Sequence, residues 1–343
     1  MADKKTRFSI GLNGHPGNLE AILKELGNDI YEVYAPAPPD VCSTGRFEIV
    51  HVDRHEMRRQ IDLAHQYGIQ YNVLMNGSCH SGLQFSKKFR EKILGYLNFL
   101  KKAKPDSITI ADPYLMEFVS DHCTIPIVVG SFAAVNEPIK ALRYQNKGAR
   151  RIVLQREIYR DFQALQELRS LIKIDLSIIV NKGCIYQCDC CLMHINVNSH
   201  ISMLNSDDRE AYGNYSAPIE GCRTIRQVDP IEFLMSTMIR PEDLHLYEEM
   251  GYHTFKLSSR RRSTEWILDV ARAYRERRYD GNVFDLSSHV VNPFINLPNK
   301  ELDGWFEYTG NTTSDDFAER CRAFYKERHL EKYFSKKISE VHL

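Results

Sequence analysis

Short apolar runs rich in β-branched residues recur along the chain and alternate with segments whose apolar positions fall every three or four residues. The runs are RFSIGLN (7–13), DIYEVYA (29–35), QYNVLMN (70–76), SITIAD (107–112), IPIVVGS (125–131), RRIVLQ (150–155), DLSIIVN (175–181) and HTFKLSS (253–259). Their near-continuous apolar character suits strands covered on both faces, as in a parallel sheet. Between them, HEMRRQIDLAHQYGI, KKFREKILGYLNFLKKA and DFQALQELRSLI set Leu, Ile and Phe at helical spacing and turn charge outward. Gly68, Gly148 and Gly251 stand where such helices should stop. Strand–helix alternation with about eight strands predicts an α/β fold, a closed (β/α)8 TIM-like barrel. A doubly wound open sheet is the alternative. The turn after the first run, GLNGHPGN, is not a glycine-rich phosphate fingerprint.

The rhythm breaks once. From Cys184 to about Arg240 no clean helical pattern follows the seventh run. Long irregular segments inside compact domains are usually functional or disordered, and this one starts where barrel active sites are built. The expected organisation is a single barrel domain over 1–310, with an irregular cysteine-bearing insertion after strand 7 at about 184–240. A C-terminal helical tail over 311–343 would follow.

Charge narrows the picture only slightly. Lys plus Arg and Asp plus Glu each number 45, so the net charge is zero and bulk attraction to nucleic acid is not the expected mode. The first residues, MADKKTRFSIGLNG, lack a signal-peptide apolar core, and no stretch has the apolar length of a membrane span. The expectation is a soluble, cytoplasmic protein. In a reducing compartment, clustered cysteines point to metal ligands or catalytic thiols before disulfides.

Four of the nine cysteines lie in one octapeptide, CIYQCDCC: Cys184, Cys188, Cys190 and Cys191. Cys222 stands at the far end of the insertion. Soft thiolates on a tight loop select an iron–sulfur cluster or zinc. Zinc usually takes two separated pairs of ligands, so an iron–sulfur cluster is preferred here. Zinc is the lesser alternative, with His194 and His200 available to complete its shell. The C-x3-C-x2-C spacing of Cys184, Cys188 and Cys191 is also that of radical S-adenosylmethionine enzymes. Those carry it after the first strand, not the seventh.

The collinear motifs resemble the collagenase-like peptidase family, peptidase family U32. That family includes prephenate-dependent RNA hydroxylation proteins and the oxygen-independent ubiquinone-hydroxylation pair. GARRIVLQREI (148–158) resembles its arginine- and glutamate-ended strand, and IIVNKGCIYQCDCC its strand followed by C-x6-C, met by Cys184 and Cys191. GCRTI resembles its later Cys-Arg element, at Cys222 and Arg223. The stretch from Arg240 to Glu276 resembles its last strand and helix, bringing in Lys256, Arg260, Tyr274 and Arg275. NKELDGWFE (299–307) looks like the region that follows, so the resemblance spans about 70–310.

The resemblance implies a barrel holding a 4Fe–4S cluster and an iron–sulfur-dependent oxidoreductase of hydroxylase type. Its substrate would be RNA or a small molecule, and a heterodimeric or homo-oligomeric partner is possible. One departure is Pro218, where relatives carry a further cysteine. Cys188, or Cys42 as in one branch, would replace that ligand. The expected metal ligands are therefore Cys184, Cys188, Cys191 and Cys222. His194 and Asn196 would bond cluster sulfurs. Arg156, Glu157, Lys256 and Arg260 would form the catalytic set, the cations orienting an anionic group. A non-catalytic metal-binding assembly protein and a peptidase or other hydrolase are the remaining alternatives. The sequence holds no H-E-x-x-H and no nucleophile elbow.

Asn76, Cys79 and His80 fall at the expected mouth, where substrate contact and a plain turn are equally open. Asp112 before Pro113 reads as a helix N-cap.

Overall fold

The computed structural model describes residues 5–334 apart from 48, 205, 212–220, 223, 226–228, 230, 289–294 and 310–313. Eight strands, β1 (Arg7–Gly11), β2 (Ile30–Pro36), β3 (Gln70–Met75), β4 (Ser107–Ile110), β5 (Ile127–Val129), β6 (Arg151–Val153), β7 (Asp175–Ile179) and β8 (Thr254–Leu257), follow the eight apolar runs. Each pairs in parallel with the next, and β8 closes on β1 through Arg7↔Thr254 to Ile10↔Leu257. The expected TIM-like barrel is therefore observed. Most strands end before their apolar runs do. Leu12 and Asn13, Ala111 and Asp112, and Val180 and Asn181 leave the ladder at the C-terminal face, where the backbone turns into loops.

Helices α1 (Asn18–Leu26), α2 (Arg54–Gln66), α3 (Lys87–Ala103), α4 (Pro113–His122), α5 (Pro138–Asn146) and α6 (Phe162–Leu171) cover the barrel. Their starts are written in the sequence: the carboxylate of Asp53 accepts from the Glu56 N–H at 2.7 Å, and Ser86, Asp112 and Asp161 cap α3, α4 and α6 likewise. Asp112 is thus the N-cap its Pro neighbour suggested.

The barrel interior departs from the usual layers of branched aliphatics. Arg151 on β6 faces Glu32 on β2 at 2.5 Å, and Ser9 on β1 donates to the same carboxylate at 2.6 Å. Arg151 and Glu32 side chains are 5% and 1% exposed, so this is a fully desolvated ion pair in the middle of the fold.

Within the insertion, the longest of the described helices was not expected. α7 (Cys191–Ile201) begins on the last cysteine of the loop after β7. Its apolar residues form no stripe, so helical periodicity was not visible in the sequence. Its polar side chains dock it instead. Ser199 Oγ accepts from the Ser78 N–H at 3.0 Å, Ser202 Oγ from the Thr44 N–H at 2.9 Å, and Asn196 Oδ1 from Ser78 Oγ at 2.7 Å. Hydrogen bonds to the loops after β2 and β3 thus replace an apolar face.

The helix Ser314–Glu327 buries Phe317, Cys321 and Phe324 in the same core as the barrel. It meets Arg160, whose guanidinium lies 5.0 Å from the Phe317 ring centre, and 4.0 Å and 4.3 Å from those of Phe306 and Trp305 in the preceding helix. Among the described residues, no helix is long and apolar enough to cross a membrane.

Candidate functional site

Two features meet at the C-terminal mouth of the barrel: the cysteine loop and a cluster of inward-facing cations. The loop leaves β7 through Asn181 and Lys182. It turns at Gln187, whose φ of 49° is left-handed, and re-enters the fold as α7. The Cys191 N–H donates to the Cys188 carbonyl at 3.1 Å, and the Cys184 carbonyl accepts from the Thr237 N–H at 3.2 Å. The first cysteine turn is therefore tied to the far end of the insertion, and the second closes on itself.

Arg156 organises the thiols. It opens a short 3-10 turn, Arg156–Arg160, directly after β6, and is 8% exposed. Its Nη2 donates to Cys191 Sγ at 2.9 Å, and the same nitrogen lies 3.3 Å from Glu157. Burial works against its charge, but Cys184, Glu157, Cys191 and Cys188 together hold its pKa above the ordinary value. Burial also pushes the Cys191 thiol up, to about 12, despite Arg156, and raises Cys188, which has Cys222 and Cys184 as electrostatic neighbours. Cys184, Cys188 and Cys191 thus stand within electrostatic reach of one buried guanidinium, and Cys222 within reach of Cys188.

Among the described residues, no three His, Cys, Asp or Glu side chains stand close enough together for a single metal ion. By its chemistry, a set of thiolates suits soft metals, an iron–sulfur cluster or zinc. Cys42 lies elsewhere. It is fully buried in the hydrophobic core, with Tyr96 as an electrostatic neighbour, and burial raises its pKa strongly. Arg223 and Pro218 lie outside the described residues. Asn196 faces Ser78 in the loop after β3, where it fastens α7. His194 continues that helix, its N–H donating to the Cys190 carbonyl at 2.8 Å.

Beside the cysteines, a cavity at the mouth is lined by Tyr34, Arg46, Phe132, Lys182, Lys256 and Arg260, among others, and its lining includes no Asp or Glu. Lys256 projects from β8, its Nζ 3.7 Å from the centre of the Tyr34 ring. Burial pulls its pKa down to about 7, with Arg151 and Arg260 adding to the effect and Glu32 opposing it. Burial, Arg46 and Arg156 bring Lys182 to about 7 as well, against Cys184. Arg46 falls to about 10 through burial and the facing Arg260. Tyr34 donates its hydroxyl to the Leu257 carbonyl at 2.6 Å, and burial pushes its own pKa up to about 12.

Lys256 and Arg260 stand at the mouth as expected, whereas Arg46 and Lys182 were not anticipated there. Lys182 stands two residues before the first loop cysteine. Arg46 sits in the long irregular connection between β2 and α2, residues 37–53, whose length was the available signal.

Ser43, His80 and Asp112 also come together. Ser43 Oγ is 2.8 Å from His80 Nδ1, and His80 Nε2 is 3.9 Å from an Asp112 oxygen. Both Ser43 and His80 are fully enclosed, and burial holds His80 below its ordinary pKa against the pull of Asp112. Ser43 is pressed against Gly77, where a Cβ would stand 1.8 Å from its Oγ. The trio ties three loops together and offers no hydroxyl to a substrate.

Comparison with known proteins agrees with this architecture. The model of peptidase family U32 matches residues 17–283, extending the likeness further toward the N-terminus than the motifs did. An uncharacterized protease of Methanocaldococcus jannaschii, MJ1657, is 30% identical over 316 residues, covering 88% of this chain and 92% of its own length. The solved structure of the U32 peptidase Mk0906 superposes with a TM-score of 0.54 at 20% identity, over 76% of this chain and 94% of that one. At that identity the likeness to Mk0906 is one of fold.

Proposed function

The chain belongs to peptidase family U32, and from that premise we propose that it is an iron–sulfur enzyme working on an anionic substrate, RNA or a small molecule, at the barrel mouth. The reaction class is oxygen-independent hydroxylation or a related modification. One observation carries the reading: three thiols, Cys184, Cys188 and Cys191, gather around buried Arg156, with Cys222 beside Cys188, and they adjoin a cavity lined by cations and no carboxylate.

Cys184, Cys188, Cys191 and Cys222 would hold the 4Fe–4S cluster. When bound, the cluster supplies electron transfer or a Lewis-acidic iron. Arg156 donates to Cys191 Sγ and fixes its direction, a hydrogen bond of the kind that tunes a cluster's potential. Glu157, 6% exposed beside Arg156, balances that charge. Arg260, Arg46 and Lys256 bind and orient the anionic group. α7, bonded across the loops after β2 and β3, shields this side of the mouth from water.

A peptidase reading follows from the relative's name but finds no exposed nucleophile in the Ser43–His80–Asp112 group. A radical S-adenosylmethionine reading would use Cys184, Cys188 and Cys191 alone and requires cleavage of S-adenosylmethionine on reduction. A non-catalytic assembly role would leave no function for the cations of the mouth.

Anaerobic purification and reconstitution, followed by iron and sulfide analysis, tests the proposal. About four of each per chain is the expected content of one 4Fe–4S cluster. A colourless protein without stoichiometric iron overturns it.

A further inference from the structure

We infer that the mouth binds a doubly charged anion, such as a dicarboxylate or a phosphate-like oxyanion, and that binding draws one proton from solvent onto Lys256. The inference rests on reading the mouth as the substrate site; it does not need the metal.

Two fixed charges set the demand. Arg46 and Arg260 both line the cavity, each lowers the other's electrostatic comfort, and neither meets a carboxylate among the described residues. A guanidinium cannot relieve this by losing its proton. Among the described residues, the cavity lining therefore presents two positive charges and no carboxylate, and one divalent anion offsets both.

Lys256 is the responsive group that lies away from the cysteine loop; Lys182, also near 7, stands two residues from Cys184. Glu32 and Tyr34 face it from β2, Arg151 from β6 and Arg260 from the loop after β8, while Ser9 on β1 is its neutral neighbour in register. Arg46 and Lys182 complete the charged lining. Glu32, the one carboxylate of this group, is already engaged by Arg151 at 2.5 Å and Ser9 at 2.6 Å. With the cavity empty, cations outnumber anions around Lys256, and the neutral amine is the cheaper form. A dianion beside Nζ reverses that balance: the amine lone pair takes a proton from solvent, and the ammonium then donates to the ligand.

The sign follows from linkage. The free-site pKa is about 7 and the bound value is higher. Uptake is therefore small below pH 7 and approaches one proton above it, and affinity falls as pH rises toward the bound value.

Titration calorimetry of the full chain, prepared anaerobically, with sulfate and with malonate tests this. Neither probe exchanges protons of its own between pH 7 and 9, and buffers of differing ionisation enthalpy count those taken up by the protein. Both dianions should bind at least about tenfold more weakly at pH 9 than at pH 7, and acetate should compete poorly. A preference between the two probes tells an oxyanion site from a dicarboxylate site. K256R should bind with close to one proton less uptake at pH 9, and R46Q should lose affinity for both dianions.

Absence of dianion binding at millimolar concentration, acetate binding as tightly, or unchanged proton uptake in K256R overturns the inference. Because wild-type protein is read first, a variant that fails to fold does not decide the matter. Dianion binding by a protein that takes up no iron would uphold this inference and sink the iron–sulfur reading. An iron-loaded protein that binds neither probe would do the reverse.

Discussion

Replacing Glu32 with Gln should be among the most damaging single changes in the barrel. The carboxylate lies between Arg151 Nη2 at 2.5 Å and Ser9 Oγ at 2.6 Å, and the two charged side chains are 1% and 5% exposed. Its removal leaves the Arg151 guanidinium desolvated and uncompensated, close to Lys256. Breaking a buried pair from one side costs about 3–5 kcal/mol, most of it the penalty of the stranded charge. At ~2–4 °C per kcal/mol for a large domain, the melting temperature should fall by roughly 6–20 °C. Urea unfolding should show the loss as a lower midpoint at unchanged slope. The double variant Glu32→Leu with Arg151→Met should recover much of it, since no charge is then stranded.

The same pair sets a pH dependence. Burial raises the Glu32 pKa, but Arg151, Lys256 and the two hydrogen bonds outweigh it, and the net value is below the ordinary one. A depressed folded-state pKa gives stability that is full above the unfolded value, about 4.3, and is lost as pH falls through the folded one. The gap between wild type and E32Q should therefore hold at neutral pH and narrow only below about pH 4. A loss under about 1 kcal/mol at pH 7, or a gap that does not change with acidification, would refute the reasoning.

Other consequences are open to direct measurement. Gly77→Ala places a Cβ 1.8 Å from Ser43 Oγ and 2.8 Å from the Ser43 carbonyl carbon, so thermal melting should register an overpacking cost of about 1–3 kcal/mol. Arg160→Met removes a guanidinium held over Trp305 and Phe306 and bonded to the Leu234 and Ser236 carbonyls at 3.4 and 3.5 Å. It should cost roughly 2–4 kcal/mol and speed amide exchange in Ser314–Glu327; unchanged exchange would detach that helix from Arg160. Serine at Cys184, Cys188, Cys191 or Cys222 should lower bound iron after reconstitution, whereas Cys42→Ser should leave it unchanged because Cys42 lies in the core. Retention of full iron by Cys188→Ser would return the fourth ligand position to question.

Much of the fold was legible because a parallel barrel repeats one simple signal. Eight apolar runs became eight strands, and Asp112 before Pro113 became a helix cap. α7 was not legible, because Asn196, Ser199 and Ser202 hold it by hydrogen bonds to loops and leave no apolar stripe to detect. The cysteine loop was visible as composition, but Arg156 at 2.9 Å from Cys191 joins positions 35 residues apart, and only closure of β6 against β7 brings them together. Arg46 and Lys182 escaped notice for a similar reason. An isolated cation in a loop looks like solvated surface until the barrel turns it inward. Glu32 sat in a run of near-continuous apolar character, and nothing local to β2 announces that its partner is on β6.

The most direct test of the central claim is anomalous scattering at the iron edge from crystals of anaerobically reconstituted protein. The account requires iron at the end of β7, bonded to Cys184, Cys188, Cys191 and Cys222, with Arg156 still donating to the Cys191 sulfur. An iron-edge signal elsewhere, or none from protein with intact thiols, would contradict it.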